Sequence, residues 1–263
     1  MNAPVRCTAC RDGNAFDIDF SMAFQPIVDM TTGRPYAYEA LVRGPGGEGA
    51  MTVLSQVTDA NRYAFDQACR VKAIGTAVAA GLLDGDARLS INFLPNAVYS
   101  PMACIQLTLK TAAAAGLPLD RLIFEFTEGE RIASPQHVQT IIDAYRRMGF
   151  GVAIDDFGAG HAGLDLFAQF MPDIIKLDME LVRDIDSDPR RRAIVRAAVA
   201  MCAELDTLVI AEGVETPAEA EMLTSLGVRY LQGYLLAHPG FERLPVLAAP
   251  ARVSAQQGAS PTA

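Results

Sequence analysis

From Leu122 to Leu231 the chain repeats one unit, a short apolar run of strand length followed by a helical stretch. The spacing predicts strands at Leu122–Thr127, Gly151–Asp156, Asp173–Leu177, Leu208–Ala211 and Val228–Leu231. Helices are predicted between them at Pro135–Met148, Leu164–Phe170, Pro189–Leu205 and Pro217–Leu226, with Pro189 suited to a first helical turn. Strands that alternate with helices in this way pair in parallel, which points to an α/β fold.

Upstream the pattern is looser. Helical spacing covers Val53–Ala60 and Tyr63–Ala80, with Phe65, Ala68, Cys69, Ala73 and Ile74 on one stripe. A strand at Arg88–Leu94 stops at Pro95, and an alanine-rich helix near Cys104–Ala115 is closed by Gly116-Leu117-Pro118. Two further strands, Phe20–Val28 and Pro35–Val42, are separated only by Asp29–Arg34. A parallel crossover needs about a dozen residues or more, so these two form an antiparallel hairpin. Eight strands with helices after the second through seventh predict a modified TIM-like (β/α)8 barrel with one antiparallel strand. The expected domain spans 16–248, between an N-terminal tail (1–15) and a disordered C-terminal tail (249–263).

Nearly every predicted strand ends on a polar residue: Glu39, Asn92, Glu125, the pair Asp155-Asp156, Lys176 with Asp178, Glu212 with Glu215, and Gln232. In a barrel those ends share one face, where active sites are built. Like charges about 4 Å apart repel by roughly 4 kcal/mol at an effective dielectric near 20, so several converging carboxylates need protons or cations. An oxygen-rich donor set suits Mg²⁺ or Mn²⁺. The three histidines, His137, His161 and His238, do not lie at strand ends. An acid that can bridge two ions, Asp155, beside one that can hold only the second, Asp156, is what a two-metal phosphodiester-cleaving site requires. Both can address one site only where the backbone turns, and Phe157-Gly158-Ala159-Gly160 is the expected turn. Lys176 is placed to favour an attacking hydroxide, and Glu212 to act as ligand, proton acceptor or both. Metal-assisted proton abstraction next to a carboxylate is the competing chemistry that such strand-end acids and a lysine can run.

Composition narrows the partners. A net charge of −9 excludes a nucleic-acid polymer held by phosphate neutralisation. Five cysteines make no disulfide framework, and Cys7 and Cys10 lack the second pair or histidine of a zinc site. No run approaches the roughly 18 apolar residues of a membrane helix, and the N-terminus lacks a signal-peptide core. A cytoplasmic protein with no membrane partner is expected.

Several segments together resemble the EAL-domain cyclic di-GMP phosphodiesterase family: Gln25-Pro26-Ile27, EALVR (39–43), Asn92 of Ser90-Ile91-Asn92, EFTE (125–128), DDFGAG (155–160), IKLD (175–178), EGVE (212–215) and Gln232-Gly233-Tyr234. They occur in unbroken order over roughly residues 18–245. The resemblance implies hydrolysis of the bacterial messenger cyclic di-GMP to linear 5′-pGpG with two Mg²⁺ or Mn²⁺ ions. It implies that Glu39, Asn92, Glu125 and Asp155 hold one ion and that Asp155, Asp156 and Glu212 hold the other. Lys176 would assist the attacking water and Gln232 would position the Glu212 side. Arg43 would grip a substrate phosphate, a task suited to a guanidinium fork. Gln25, Asp178 and Glu215 would line the substrate pocket or support its loops, and Glu128 would anchor the loop after DDFG. Ca²⁺ is expected to inhibit, because its larger and more flexible coordination sphere misplaces the nucleophile. A homodimer is the assembly the family suggests.

One departure bears on activity. Where many active members read DDFGTGYSSL, this chain reads DDFGAGHAGL, with Ala159, His161, Ala162 and Gly163 in place of hydroxyl-bearing residues. Each lost hydrogen bond is worth about 0.5–1.5 kcal/mol, so the loop is expected to be more mobile or to use other contacts. The alternative to the enzyme is therefore a weak or inactive EAL domain that serves as a cyclic di-GMP receptor or a protein-interaction module. The loop wording and NRYAFDQ (61–67) are also similar to the EAL halves of blue-light-sensing flavoproteins, but no light response is expected to carry over.

Overall fold

The computed structural model describes residues 16–98, 100–128, 134–160 and 163–247. The expected tails at 1–15 and 249–263, the pair Cys7 and Cys10, and His161 with Ala162 lie outside the described residues.

Strands β1 (Ser21–Asp29) and β2 (Arg34–Arg43) form the antiparallel hairpin, with Gln25 opposite Glu39. The turn between them is tied by Asp29, whose side chain accepts from the Thr31 N–H at 2.9 Å and pairs with Arg229 at 2.6 Å. From β2 onward the strands run parallel: β3 (Arg88–Asn92), β4 (Leu122–Thr127), β5 (Gly151–Phe157), β6 (Ile174–Leu177), β7 (Leu208–Ala211) and β8 (Tyr230–Leu231). β1 pairs antiparallel with both β2 and β8 and so closes the barrel. The fold is the TIM-like barrel with one reversed strand. A ninth strand, β9 (Gly240–Phe241), adds to β1 through Ala23 and Phe24. At two residues it carries no periodicity to read.

The connecting helices are α1 (Arg62–Ala79), α2 (Gln106–Ala115), α3 (Pro135–Arg147), α4 (Gly163–Phe170), α5 (Pro189–Glu204) and α6 (Pro217–Ser225). α6 opens on a capping box in which Thr216 and Glu219 satisfy each other's backbone N–H groups. The helix expected over Val53–Ala60 is one turn only, Met51–Leu54. Asn61 ends it: its side chain accepts from the Thr58 N–H at 2.7 Å and donates to the Gln56 carbonyl at 3.0 Å, in competition with helical bonding. Among the described residues no helix is long and apolar enough to cross a membrane.

Two apolar layers result. The larger lies between strands and helices and includes Phe24, Leu89, Phe124, Ile154 and Leu177. The smaller joins Ile27, Ala37, Ile123, Ala153, Ile174, Ile210 and Tyr230, which come from seven different strands and can touch only inside the barrel. Two residues further toward the parallel strands' C-terminal ends, on the same face by strand alternation, stand Glu39, Glu125, Asp155, Lys176, Glu212 and Gln232. On reversed β1 the equivalent step back from Ile27 gives Gln25. A dry apolar floor therefore carries a polar layer at one mouth.

Candidate active site

Lys176 is the centre of that layer. Its Nζ is fully buried and lies 2.7 Å from Glu212 Oε1, 2.9 Å from Glu125 Oε2, 3.1 Å from Asp155 Oδ1 and 3.3 Å from Glu39 Oε2. The rest of the layer orients these acids. Asn92 Nδ2 donates to Glu39 Oε1 at 3.1 Å, and Gln232 Nε2 to Glu39 Oε2 at 2.6 Å. The Ser90 hydroxyl donates to Glu125 Oε1. Gln232 Nε2 also reaches Gln25 Oε1 at 3.3 Å, and Gln25 in turn donates to the Ala237 carbonyl at 3.2 Å. The Gln232 side-chain oxygen, Oε1, is buried with no hydrogen-bond partner among the described residues.

Asp155 and Asp156 are brought to one site by a bend within β5 itself. Asp156 has φ +55°, and the β5–β6 register breaks between Ile154 and Phe157. The turn is thus at Asp156, one residue earlier than the sequence suggests, and pairing resumes at Phe157 opposite Leu177. A non-glycine residue in this region is strained, and aspartate is among the few that tolerate it. The bend leaves oxygens of Asp155, Asp156 and Glu212 within 4.8 Å of one another, and oxygens of Glu39, Glu125 and Asp155 likewise. Asp155 belongs to both sets.

The electrostatics follow from burying five acids around one ammonium. Burial pushes the Glu125 carboxyl up to about 8, opposed by Lys176 and reinforced by Glu39 and Asp155. Burial, then Asp155 and Asp178, push Asp156 up to about 6. Glu212 is raised well above the ordinary carboxylate range by burial, against the pull of Lys176. Burial alone would lower the Lys176 pKa, but Asp155, Glu125, Glu212 and Glu39 together raise it. One ammonium cannot neutralise five carboxylates, and the excess negative charge on hard oxygen donors fits divalent cations of the Mg²⁺ or Mn²⁺ class.

Other expected site residues stand further out. Asp178 caps the turn Met179–Val182 by accepting from the Glu180 N–H at 2.9 Å. Arg43 is half-buried and donates to the Val42 carbonyl at 2.7 Å, at the edge of a cavity of about 270 Å³ that it shares with Asn92 and Thr127. Glu215 is exposed, and its backbone N–H is held by Glu219 at 2.9 Å. Glu128 accepts from the Gly158 and Gly163 N–H groups, each at 2.7 Å, and so spans the two ends of the loop after DDFG. These bonds use backbone donors, so this anchoring does not depend on the replaced hydroxyls. A Cβ at Gly163 would lie 2.8 Å from Glu128 Oε2, which explains how glycine permits so close an approach. Gly158 and Gly213, with φ of +97° and +66°, lie under Leu181 and Met179, so the turn at 179–182 packs over both flanks of the site.

Sequence reasoning did not find Ser90, although its place two residues before Asn92 on the inward face was a signal. It also passed over Asp66 and Arg70, a charged pair four residues apart within the apolar stripe of α1.

Comparison with known proteins finds one family and one fold. The description "EAL domain" matches residues 14–239. A standalone EAL protein from Vibrio cholerae O395, solved in a cyclic di-GMP bound form, superposes with a TM-score of 0.85 at 47% identity over 89% of this chain and 98% of that one. BlrP1 of Klebsiella pneumoniae in a manganese/cyclic di-GMP complex gives a TM-score of 0.80 at 37% identity, over 85% of this chain and 56% of that one. The blue light- and temperature-regulated antirepressor BluF of Escherichia coli K12 is 35% identical over 89% of this chain and 57% of its own length. The cyclic di-GMP phosphodiesterase PA2567 of Pseudomonas aeruginosa is 28% identical over 84% of this chain and 38% of its own. The chain therefore spans little more than half, or less, of these two relatives.

Proposed function

The chain belongs to the EAL-domain family, and on that premise we propose that it hydrolyses cyclic di-GMP to linear 5′-pGpG with the help of two divalent cations, Mg²⁺ or Mn²⁺. The observation that carries the proposal is the pair of overlapping carboxylate sets that share Asp155. Glu39, Asn92, Glu125 and Asp155 would hold one ion, and Asp155, Asp156 and Glu212 the other. When bound, such ions supply Lewis-acid polarisation of the phosphoryl group and acidification of water.

The chain's own residues do the rest. Lys176 holds its proton and presents a fixed positive charge beside Asp155 and Glu212, favouring an anionic nucleophile between them. Glu212, raised in pKa and half-buried, is placed to accept the proton that water gives up. Gln232 and Asn92 hold the two Glu39 oxygens apart in fixed directions. Arg43, four residues beyond Glu39 on β2, would grip a phosphate, and Gln25, opposite Glu39 in the polar layer, would with Asp178 and Glu215 contact the substrate or support its loops. A homodimer is part of the same proposal.

A second reading, a receptor that binds the dinucleotide without turnover, is favoured by one observation, the antirepressor among the relatives. A single assay separates them. Product that appears only when Mg²⁺ or Mn²⁺ is restored to the chelated protein supports hydrolysis, whereas tight binding of unchanged cyclic di-GMP under the same conditions supports the receptor.

A further inference from the structure

Behind the site, in the otherwise apolar layer between barrel and helices, lies a second buried charge pair. Asp66 and Arg70 of α1 are 3% and 0% exposed, and their oxygen and nitrogen approach to 2.5 Å. Every other ion pair among the described residues, outside the Lys176 cluster, has at least one partly exposed partner. Burying such a pair adds little net stability over an apolar packing of the same volume. Apart from the Tyr145 hydroxyl of α3, its contacts lead to the ends of the strands that carry Asn92 and Glu125.

The second oxygen of Asp66 accepts from the Leu94 N–H at 3.0 Å, fixing the backbone two residues beyond Asn92. The Arg70 guanidinium donates to the Tyr145 hydroxyl of α3 at 3.1 Å. It also lies 5.8 Å from the Phe93 ring centre and 5.4 Å from that of Phe124, in cation–π range. Phe93 follows Asn92 and Phe124 precedes Glu125, and by strand alternation both rings face outward while their neighbours face the site. The Phe93 N–H donates to the Glu125 carbonyl at 2.8 Å, joining the two strand ends.

We infer that the Asp66–Arg70 pair, with Tyr145, is a positioning device that fixes the ends of β3 and β4 and thereby sets Asn92 and Glu125 for one of the two cations. The consequence for cation affinity rests on the reading given under Proposed function; the fixing of the strand ends does not. The pair acts only through backbone and rings, so its members are positioning residues.

The test uses the full chain and a double variant, Asp66→Leu with Arg70→Met, which removes both charges and keeps apolar volume. Hydrogen exchange across residues 92–94 in chelator, and binding of Mn²⁺ alone followed by the resonance of the free ion, are measured beside thermal melting. The expected result is faster exchange at Leu94 and Mn²⁺ affinity lower by about tenfold, the lower end of what outer-shell changes cost, with melting close to that of the parent. Should the double variant not fold, Tyr145→Phe removes only the hydroxyl that holds Arg70 and should shift both readouts in the same direction by a smaller factor. Parent-like exchange and parent-like Mn²⁺ binding in a folded variant overturn the inference. If the parent itself binds no Mn²⁺, the cation reading fails, and the exchange measurement alone decides whether the pair fixes the strand ends.

Discussion

Lys176 Nζ and Glu212 Oε1 lie 2.7 Å apart, the shortest of four contacts between one buried ammonium and four carboxylates. Strand β6 supplies the cation, and the residue just beyond β7 supplies the anion. Their neighbours in register make the contact a property of the barrel rather than of a loop.

Lys176→Met removes the only charge of its sign from this cluster. Leaving a buried charge uncompensated costs about 3–5 kcal/mol, so the variant should melt well below the parent in chelator. Mn²⁺ should recover much of that loss. Turnover should fall by about 10²–10³-fold even at saturating Mn²⁺, since the ion does not replace the lysine's fixed charge beside the nucleophile. Thermal melts with and without Mn²⁺, together with initial rates, check both statements.

The raised carboxyl pKa values give stability a defined slope with pH. A carboxyl whose folded pKa exceeds its unfolded one stabilises the fold below the unfolded value and loses that contribution as pH rises through the folded value. Ordinary unfolded values of about 4, with Asp156 at about 6 and Glu125 at about 8 in the fold, place the loss between about pH 4 and pH 8. In chelator the melting temperature should fall across this window. Mn²⁺ affinity should rise across it, because cation binding requires the deprotonated acids. Melting curves and Mn²⁺ titrations at pH 5, 6, 7 and 8 test the two opposite slopes.

The barrel was legible because its strands and helices alternate with different periods, and its site because the strand-end residues are polar where the rest of each strand is not. What escaped notice is instructive. The bend at Asp156 is a backbone event that no side-chain pattern announces, and β9 is too short to show alternation. Glu215 fits the strand-end pattern, but it lies four residues past the end of β7 and its side chain is exposed. Asp66 and Arg70 look like a surface i, i+4 pair until α1 is docked and the two prove buried.

The anchor of the DDFG loop gives a third expectation. Glu128→Ala strands two backbone N–H groups, at Gly158 and Gly163, each costing about 1–3 kcal/mol if left buried and unpaired. Activity should drop with the loss of a fixed Asp156, and the loop should exchange hydrogen faster. Gly163→Ser, which restores the family's residue, should also weaken the anchor, because its Cβ would meet Glu128 Oε2 at 2.8 Å and the Phe157 ring at 3.2 Å. Exchange across residues 157–164 reads both variants.

Ca²⁺ should bind and inhibit. The acids suit any hard divalent ion, but a larger ion with a looser coordination sphere leaves the nucleophile misplaced. Rates in mixed Mg²⁺ and Ca²⁺ should decline as Ca²⁺ increases, and full activity in Ca²⁺ alone would contradict the mechanism.

The most direct measurement is chromatography of cyclic di-GMP after incubation with the purified chain and Mg²⁺, beside Asp155→Ala, which removes the residue common to both carboxylate sets. Conversion to linear 5′-pGpG by the parent, with none by the variant, is the expected result. Cyclic di-GMP recovered intact from a parent that demonstrably binds it would contradict the proposed hydrolysis.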